Sequence, residues 1–558
     1  MTLAASVKTP QVTASILFGG SGASLLAAPK RILLIGSMIV SALTATVNLP
    51  SSATESIAVA AGTAAVNAAV QAQGADHAAA LAGRGSELHL AVVAALAQYR
   101  GAEVWIAPVA YGSSPVAASA TLTPTVSTLA AGTVRLTVCG RSVDVPVTAA
   151  DTPSTLGIAF ARAINAQRDW PVTASNTYAT GATVLTAKCA GPRGNAIAVR
   201  AALLTDATTI DVLGTAKTAF GLTLTWSGGA ADGGVYRLAS GAVDDSNATL
   251  LAAIATQKFD RIGAAIYRVS GAVTANAGRL RDALLAQDAA SMFDQQAVFG
   301  SVADPATANT DASAGLLAST PTAALNDPRC GYFNSPGSEH QPLEIAAVIA
   351  AARLFGDGQL GGAQGGETES PAGPACNLNG LELALNAPFS LADLADAAEV
   401  EGNLNHGVSP VALSPTRSGK LCLVASIQTR AVANGVADFS VYKTKDVTVA
   451  DYARAFVLGE LRRVYRGYNL VADEPSGRPP RAPRTVSPSI VRAFLYQLCK
   501  RLERDGVLTD VDKTKAQITA VRNASNNRRV DFTFPSIPPS DLDIQAGTLF
   551  QQQSTDEV

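Results

Sequence analysis

The chain has 558 residues, of which 48% are hydrophobic, 15% charged and 5% aromatic, and its formal net charge is −2. That length exceeds a single core and suggests three or four units at roughly 100–200 residues each, while the near-neutral balance excludes a global electrostatic pull toward nucleic acid or an anionic membrane. A charged fraction well below the ~25% usual for soluble domains points to a surface that something else covers.

Near the start, Val12, Ala14, Ile16 and Phe18 alternate with Gln11, Thr13, Ser15 and Leu17 before the stop GGSG, the period-2 signature of a strand. Lys30 and Arg31 then precede ILLIGSMIVSALTATV. Ser37, Ser41, Thr44 and Thr46 interrupt this run, which falls short of the ~20 apolar residues of a spanning helix. Residues 32–36 are therefore read as a buried parallel strand. A helix near 86–98, with Leu88, Val92 and Leu96 spaced by four, and a strand at 103–110 complete a strand–helix–strand unit.

From about 118 to 230 the texture turns to Thr, Val and Gly, with strands GTVRLTVCG, RSVDVPVTA and ATVLTAKCAG around one helix, TLGIAFARAINAQ. The earlier alternation then resumes with a helix at 247–257, a strand at 261–269, a helix at 274–287, and strands at 297–302 and 330–333. Such an order predicts a mostly parallel, helix-covered sheet interrupted by an inserted β-rich domain. Gly356, Gly358 and Gly361 spell GxGxxG, but a helix precedes them where a phosphate-binding turn needs a strand, so residues 356–374 are read as a surface loop.

Farther on, Thr448 and Asp451 stand in capping-box spacing before a helix carrying Val457, Leu461, Val464 and Tyr465 on one face. In the next helix Ser487 is the N-cap, Pro488 the first residue, Ile490, Val491, Phe494, Leu495, Leu498 and Leu502 the apolar stripe, and Gly506 the end. Eleven of the 42 basic residues fall between Arg454 and Arg504, against Glu460, Asp473, Glu474 and Glu503, giving that window +7. Most of this excess reads as a solvated face and a proline-rich loop with Arg478, Arg481 and Arg484. Lys500, Arg501 and Arg504, on the polar side of the last helix, are the candidates for docking on an acidic surface. No helix-turn-helix, RRM or aromatic-interleaved basic strand accompanies them.

At the end, Val530, Phe532 and Phe534 would share one strand face opposite Arg529, Asp531 and Thr533. Beyond a turn at 536–540, Leu542, Ile544, Ala546 and Phe550 resume the alternation. Both chain ends are thus strand-like, and they either pair within their own domain or join the sheet edge of another chain.

Little in the chain suggests chemistry. The four histidines, His77, His89, His340 and His406, lie outside any HExxH motif, and there is no GxSxG elbow or GxxxxGK[ST] loop. The six cysteines form no CxxC pair, which indicates neither a zinc site nor a disulfide framework. No catalytic, cofactor-binding or metal residue is expected.

GPRGNAIAVR at 191–200, DYARAFVLGELRRVYRGYNLVAD, PSIVRAFLYQLCKRLERDGVL and VRNASNNRRVDFTFP together resemble the tail sheath protein of Mu-like contractile bacteriophages, related to the sheath subunits of pyocins and type VI-like injection machines. The resemblance implies an α/β (α+β multidomain) fold: an N-terminal arm (1–28), a sheath core in two parts (29–117 and 231–415), the β-rich insertion (118–230), a C-terminal inner domain (416–535) and a C-terminal arm (536–558). It implies a non-enzymatic subunit without cofactors, forming stacked hexameric rings around an inner tail tube protein and contracting to drive the tube through a cell envelope. Baseplate and tail terminator proteins are the further partners implied, with no nucleic acid and no direct membrane insertion. The site would be the virion tail, assembled in the host bacterial cytoplasm. In that family the chain ends lend strands to neighbours and a C-terminal helix rests on the tube, which gives those roles here to the arm residues above and to Lys500, Arg501 and Arg504. A surface-layer or adhesin-type lattice protein, and a subtilisin-like serine hydrolase, are the alternatives.

Overall fold

The computed structural model describes residues 30–205, 208–243, 245–269, 272–273, 275–291, 293–309, 312, 325–358, 377–416, 419–433, 436–437, 442–473 and 482–540. At its centre is a nine-stranded sheet in the order Glu382–Asn386, Lys420–Leu423, Val408–Leu413, Cys330–Asn334, Gln296–Ser301, Arg261–Ala265, Arg31–Gly36, Glu103–Pro108 and Val70–Ala72. The strands from Val408–Leu413 to Glu103–Pro108 run parallel, and antiparallel strands finish both sides. The protein is an α/β multidomain chain, as its alternation of elements predicts.

Alternation along the first strand explains the layers. Ile32 and Leu34 face helices Glu87–Gln98 and Pro342–Gly358, whereas Leu33 and Ile35 face Ala248–Ala253 and Asn276–Ser291. Side chains on both faces are buried, so the strand reads as an unbroken apolar run. From Leu343 to Leu354 the helix Pro342–Gly358 is almost wholly covered, which fits a sequence apolar on all sides. Among the described residues no helix is long and apolar enough to cross a membrane.

Between Glu103–Pro108 and Arg261–Ala265 the chain builds two further antiparallel sheets, of five and six strands, enclosing a core with Leu156, Phe160 and Ile164 of helix Pro153–Ala166. The Thr152 side chain caps that helix. Cys139 and Gly140, with φ of +47° and +73°, close the two-residue turn between Gly132–Val138 and Arg141–Val147, where positive φ at both positions suits the strand twist. Ala230–Asp232 and Val235–Arg237 belong to the six-stranded sheet, so this unit continues beyond residue 230.

The C-terminal part packs helices Thr444–Tyr465 and Pro488–Arg504 around Val457, Leu495, Leu498 and Leu502. The second helix ends as its sequence predicts. Gly506 has φ of +74°, its N–H donates to Glu503, and Val507 N–H donates to Leu502, the paired bonds of a Schellman motif. The first helix starts at Thr444, four residues before the expected cap. Thr448 instead donates back to the Thr444 carbonyl at 3.1 Å and accepts from Arg261, Gln296 and Arg353 at 3.3–3.4 Å, while Asp451 holds Arg329. The polar pair that resembles a cap is a buried anchor to the central sheet.

Candidate functional site

Each of the four histidines is engaged by nearby groups among the described residues. The Nδ1 atoms of His77 and His89 accept backbone N–H groups, that of His406 lies 2.6 Å from the Gly402 carbonyl, and His340 lies between Glu344 and the Asn386 N–H. Burial lowers the His89 pKa. Among the described residues no group of acidic, histidine and cysteine side chains could hold a metal. Cys139, Cys189, Cys330, Cys422 and Cys499 are buried free thiols.

The surface features concentrate in the C-terminal part. Thr519–Arg522 pairs antiparallel with Val530–Thr533 as a separate two-stranded ribbon. Val530, Phe532 and Phe534 do share a half-buried face, packed on the core of the last two helices, while Val521 on the other strand is 59% exposed. Asn523 N–H donates to the Arg529 carbonyl. Alternation from that pair turns the N–H and C=O groups of Ala520, Arg522, Val530 and Phe532 outward.

Beyond the ribbon the chain returns to its own body. Thr509 N–H donates to the Ile537 carbonyl at 2.9 Å and Lys445 Nζ to the Pro539 carbonyl at 2.6 Å. The arm residues Leu542, Ile544, Ala546 and Phe550, like Val12, Ala14, Ile16 and Phe18, lie outside the described residues, as do Gly361 and Arg478.

Of the three basic residues on helix Pro488–Arg504, Lys500 is bound at home by Glu503 and by Asp512, and those bonds raise its pKa. Arg501 sits 5.2 Å from the Phe456 ring centre and 3.9 Å from Glu460. Arg504 pairs loosely with Asp505 at 3.4 Å and is the most open of the three. Exposed pairs of this kind contribute little stability, so Arg501 and Arg504 keep most of their capacity for an external carboxylate.

Two ion networks, the first buried and the second partly buried, fasten the outer units to the core. Arg193, in the GPRGN segment, donates to Asp245 at 3.0 Å and lies 3.4 Å from Glu87, its guanidinium 4.4 Å from the Tyr267 ring. Glu87 in turn accepts the Ser37 N–H and hydroxyl at 2.9 and 2.8 Å. Burial alone would lower the Arg193 pKa, but Asp245, Tyr267 and Glu87 hold it well above the usual value. On the other side, Arg329 makes two 2.8 Å bonds to Asp451, and Arg454 bridges Asp288 and Asp294. Sequence reading missed both networks, because their partners are up to 166 residues apart. The only local signal was a charged residue inside an otherwise apolar or glycine-rich segment.

No family model matches the chain, and no curated protein matches it. Among solved structures, the sheath tail protein Lin1278 from Listeria innocua is similar over 89% of this chain and 89% of its own, with 11% identity and a TM-score of 0.37. The sheath tail protein DSY3957 from Desulfitobacterium hafniense is similar over 91% of this chain and 93% of its own, with 11% identity and a TM-score of 0.35.

Proposed function

We propose that this chain is a structural subunit of a contractile tail sheath, similar to that of Mu-like phages. It would form stacked hexameric rings around an inner tube and contract to push the tube through an envelope. The observation that carries the reading is the ribbon of residues 519–533. One face of the hairpin is supported by the helices it packs on, but the main-chain groups along each outer edge are a template for another strand. Among the described residues neither outer edge is paired with a further strand, and two such edges match two predicted arm strands, at 12–18 and 541–550. Arms supplied by neighbours would complete a four-stranded sheet and keep subunits linked while they slide. Head-to-tail contacts that do not close generate a helical array, and ~1 kcal/mol gained per subunit on contraction sums over many neighbours.

In this reading Arg501 and Arg504 face acidic groups of the tube, the ion networks carry load between units, and no residue is catalytic. The arms, two-part core, insertion and C-terminal unit keep their proposed division, with the insertion extended to Ala242, which bridges Val116. Baseplate and terminator proteins would bind the two ends of the array in the virion tail. Negative-stain microscopy of the full chain tests the proposal: striated hollow cylinders are expected, and flat lattices or dispersed monomers would contradict it.

A further inference from the structure

One side of the central sheet ends in strand Glu382–Asn386, which pairs inward with Lys420–Leu423. The Leu381 carbonyl accepts from Leu423 and the Ala387 N–H donates to Gly419; the register shifts between Glu382 and Asn386, and there the Glu382 carbonyl and the Ala384 and Asn386 N–H groups turn away from the sheet to side-chain partners. This edge is filled by side chains of its own chain. Gln98, the last residue of helix Glu87–Gln98, donates Nε2–H to the Glu382 carbonyl at 3.3 Å and accepts the Ala384 N–H on Oε1 at 2.6 Å. The His340 Nε2 accepts the Asn386 N–H at 3.2 Å, with Nδ1 held 3.1 Å from Glu344.

The Gln98 geometry is specific. A carboxamide that bonds the carbonyl before Leu383 and the N–H after it does what the peptide groups of one residue on a parallel neighbouring strand would do. Gln98 reaches this position from a rigid helix whose start is capped by Ser86. The opposite side of the sheet is finished by only three residues, Val70–Ala72, and a short edge strand is another means of discouraging pairing.

We propose that Gln98, supported by His340, is an edge lock: it occupies the place of a tenth strand and closes this side of the central sheet to strands from a second copy of the chain. The corollary that strand addition at the ribbon meets no competition from this edge rests on the sheath reading; the lock itself does not.

The test uses the full chain and a fluorescent peptide of residues 381–387, LELALNA, as the strand probe. Gln98→Ala and Gln98→Met both remove the two bonds, and the methionine keeps most of the volume, so a folding defect of one variant is separated from loss of the lock. Both are expected to capture the peptide at least tenfold more tightly than wild type and to show faster amide exchange at Ala384. Adding Ala384→Pro, which removes an outward donor and no inward ladder bond, should abolish the capture. Equal capture by wild type and both variants would overturn the lock, as would capture that survives Ala384→Pro. Polymer loss on deleting the arm reads out the sheath proposal separately.

Discussion

Lys445 Nζ donates to the Pro539 carbonyl across 94 residues of sequence, joining the first turn of helix Thr444–Tyr465 to the last described stretch of the chain. The lysine is almost wholly buried, and a charged donor in such a place contributes more than a neutral one. The bond holds residues 537–540 against the helix. Lys445→Met is therefore expected to free residues 535–540 while the helices stay folded, at a local cost of about 1.5–3 kcal/mol. Hydrogen exchange at Thr509, whose N–H bonds Ile537 in the same stretch, should accelerate by tenfold or more. Unchanged protection there would show that the bond does not anchor the segment.

Arg193 gives a second expectation. Its removal leaves Glu87 and Asp245 buried without their shared cation, a loss of the kind that costs about 3–5 kcal/mol. Arg193→Met should lower the first thermal transition of the chain and expose the contact between the insertion and the core to protease. Arg193→Lys should recover only part, since one ammonium cannot reproduce the planar fork.

The same joint is expected to fail in acid. Burial raises the pKa of Asp245, but Arg193, Tyr267 and Asn276 outweigh it and hold the group below its ordinary value of 3.8. A carboxylate with a depressed folded-state pKa is protonated first in the unfolded chain, so its contribution is complete above about pH 4 and fades as pH falls through the folded value. Asp245→Asn should lower stability at neutral pH and flatten the loss as pH falls below about 4. A variant with the wild-type slope would remove Asp245 from the account.

Periodicity made much of this architecture legible. Strand Arg31–Gly36, helix Glu87–Gln98 and helix Pro488–Arg504 with its Gly506 terminus all follow from apolar spacing and local capping chemistry. Three features were not legible, for one physical reason. Thr448 and Asp451 match a cap in spacing but are buried anchors, Arg193 lies in a glycine-rich segment, and Gln98 looks like an unremarkable helix end. Each acts on a partner distant in sequence, and no local pattern encodes that.

Deleting residues 1–18 or 541–558 is expected to give folded monomers that no longer polymerise, measured by sedimentation alongside circular dichroism. The core, insertion and ribbon would keep their own hydrogen bonds. Polymers of normal length from either truncated chain would remove strand exchange as the link between subunits.

Amide exchange across residues 519–533, compared between assembled and dispersed full-length protein, tests the central claim most directly. If neighbouring arms pair on the ribbon, the outward amides of Ala520, Arg522, Val530 and Phe532 should slow by at least a hundredfold on assembly, together with amides in the arms. Polymers in which those four amides exchange as fast as in the free subunit would contradict the account.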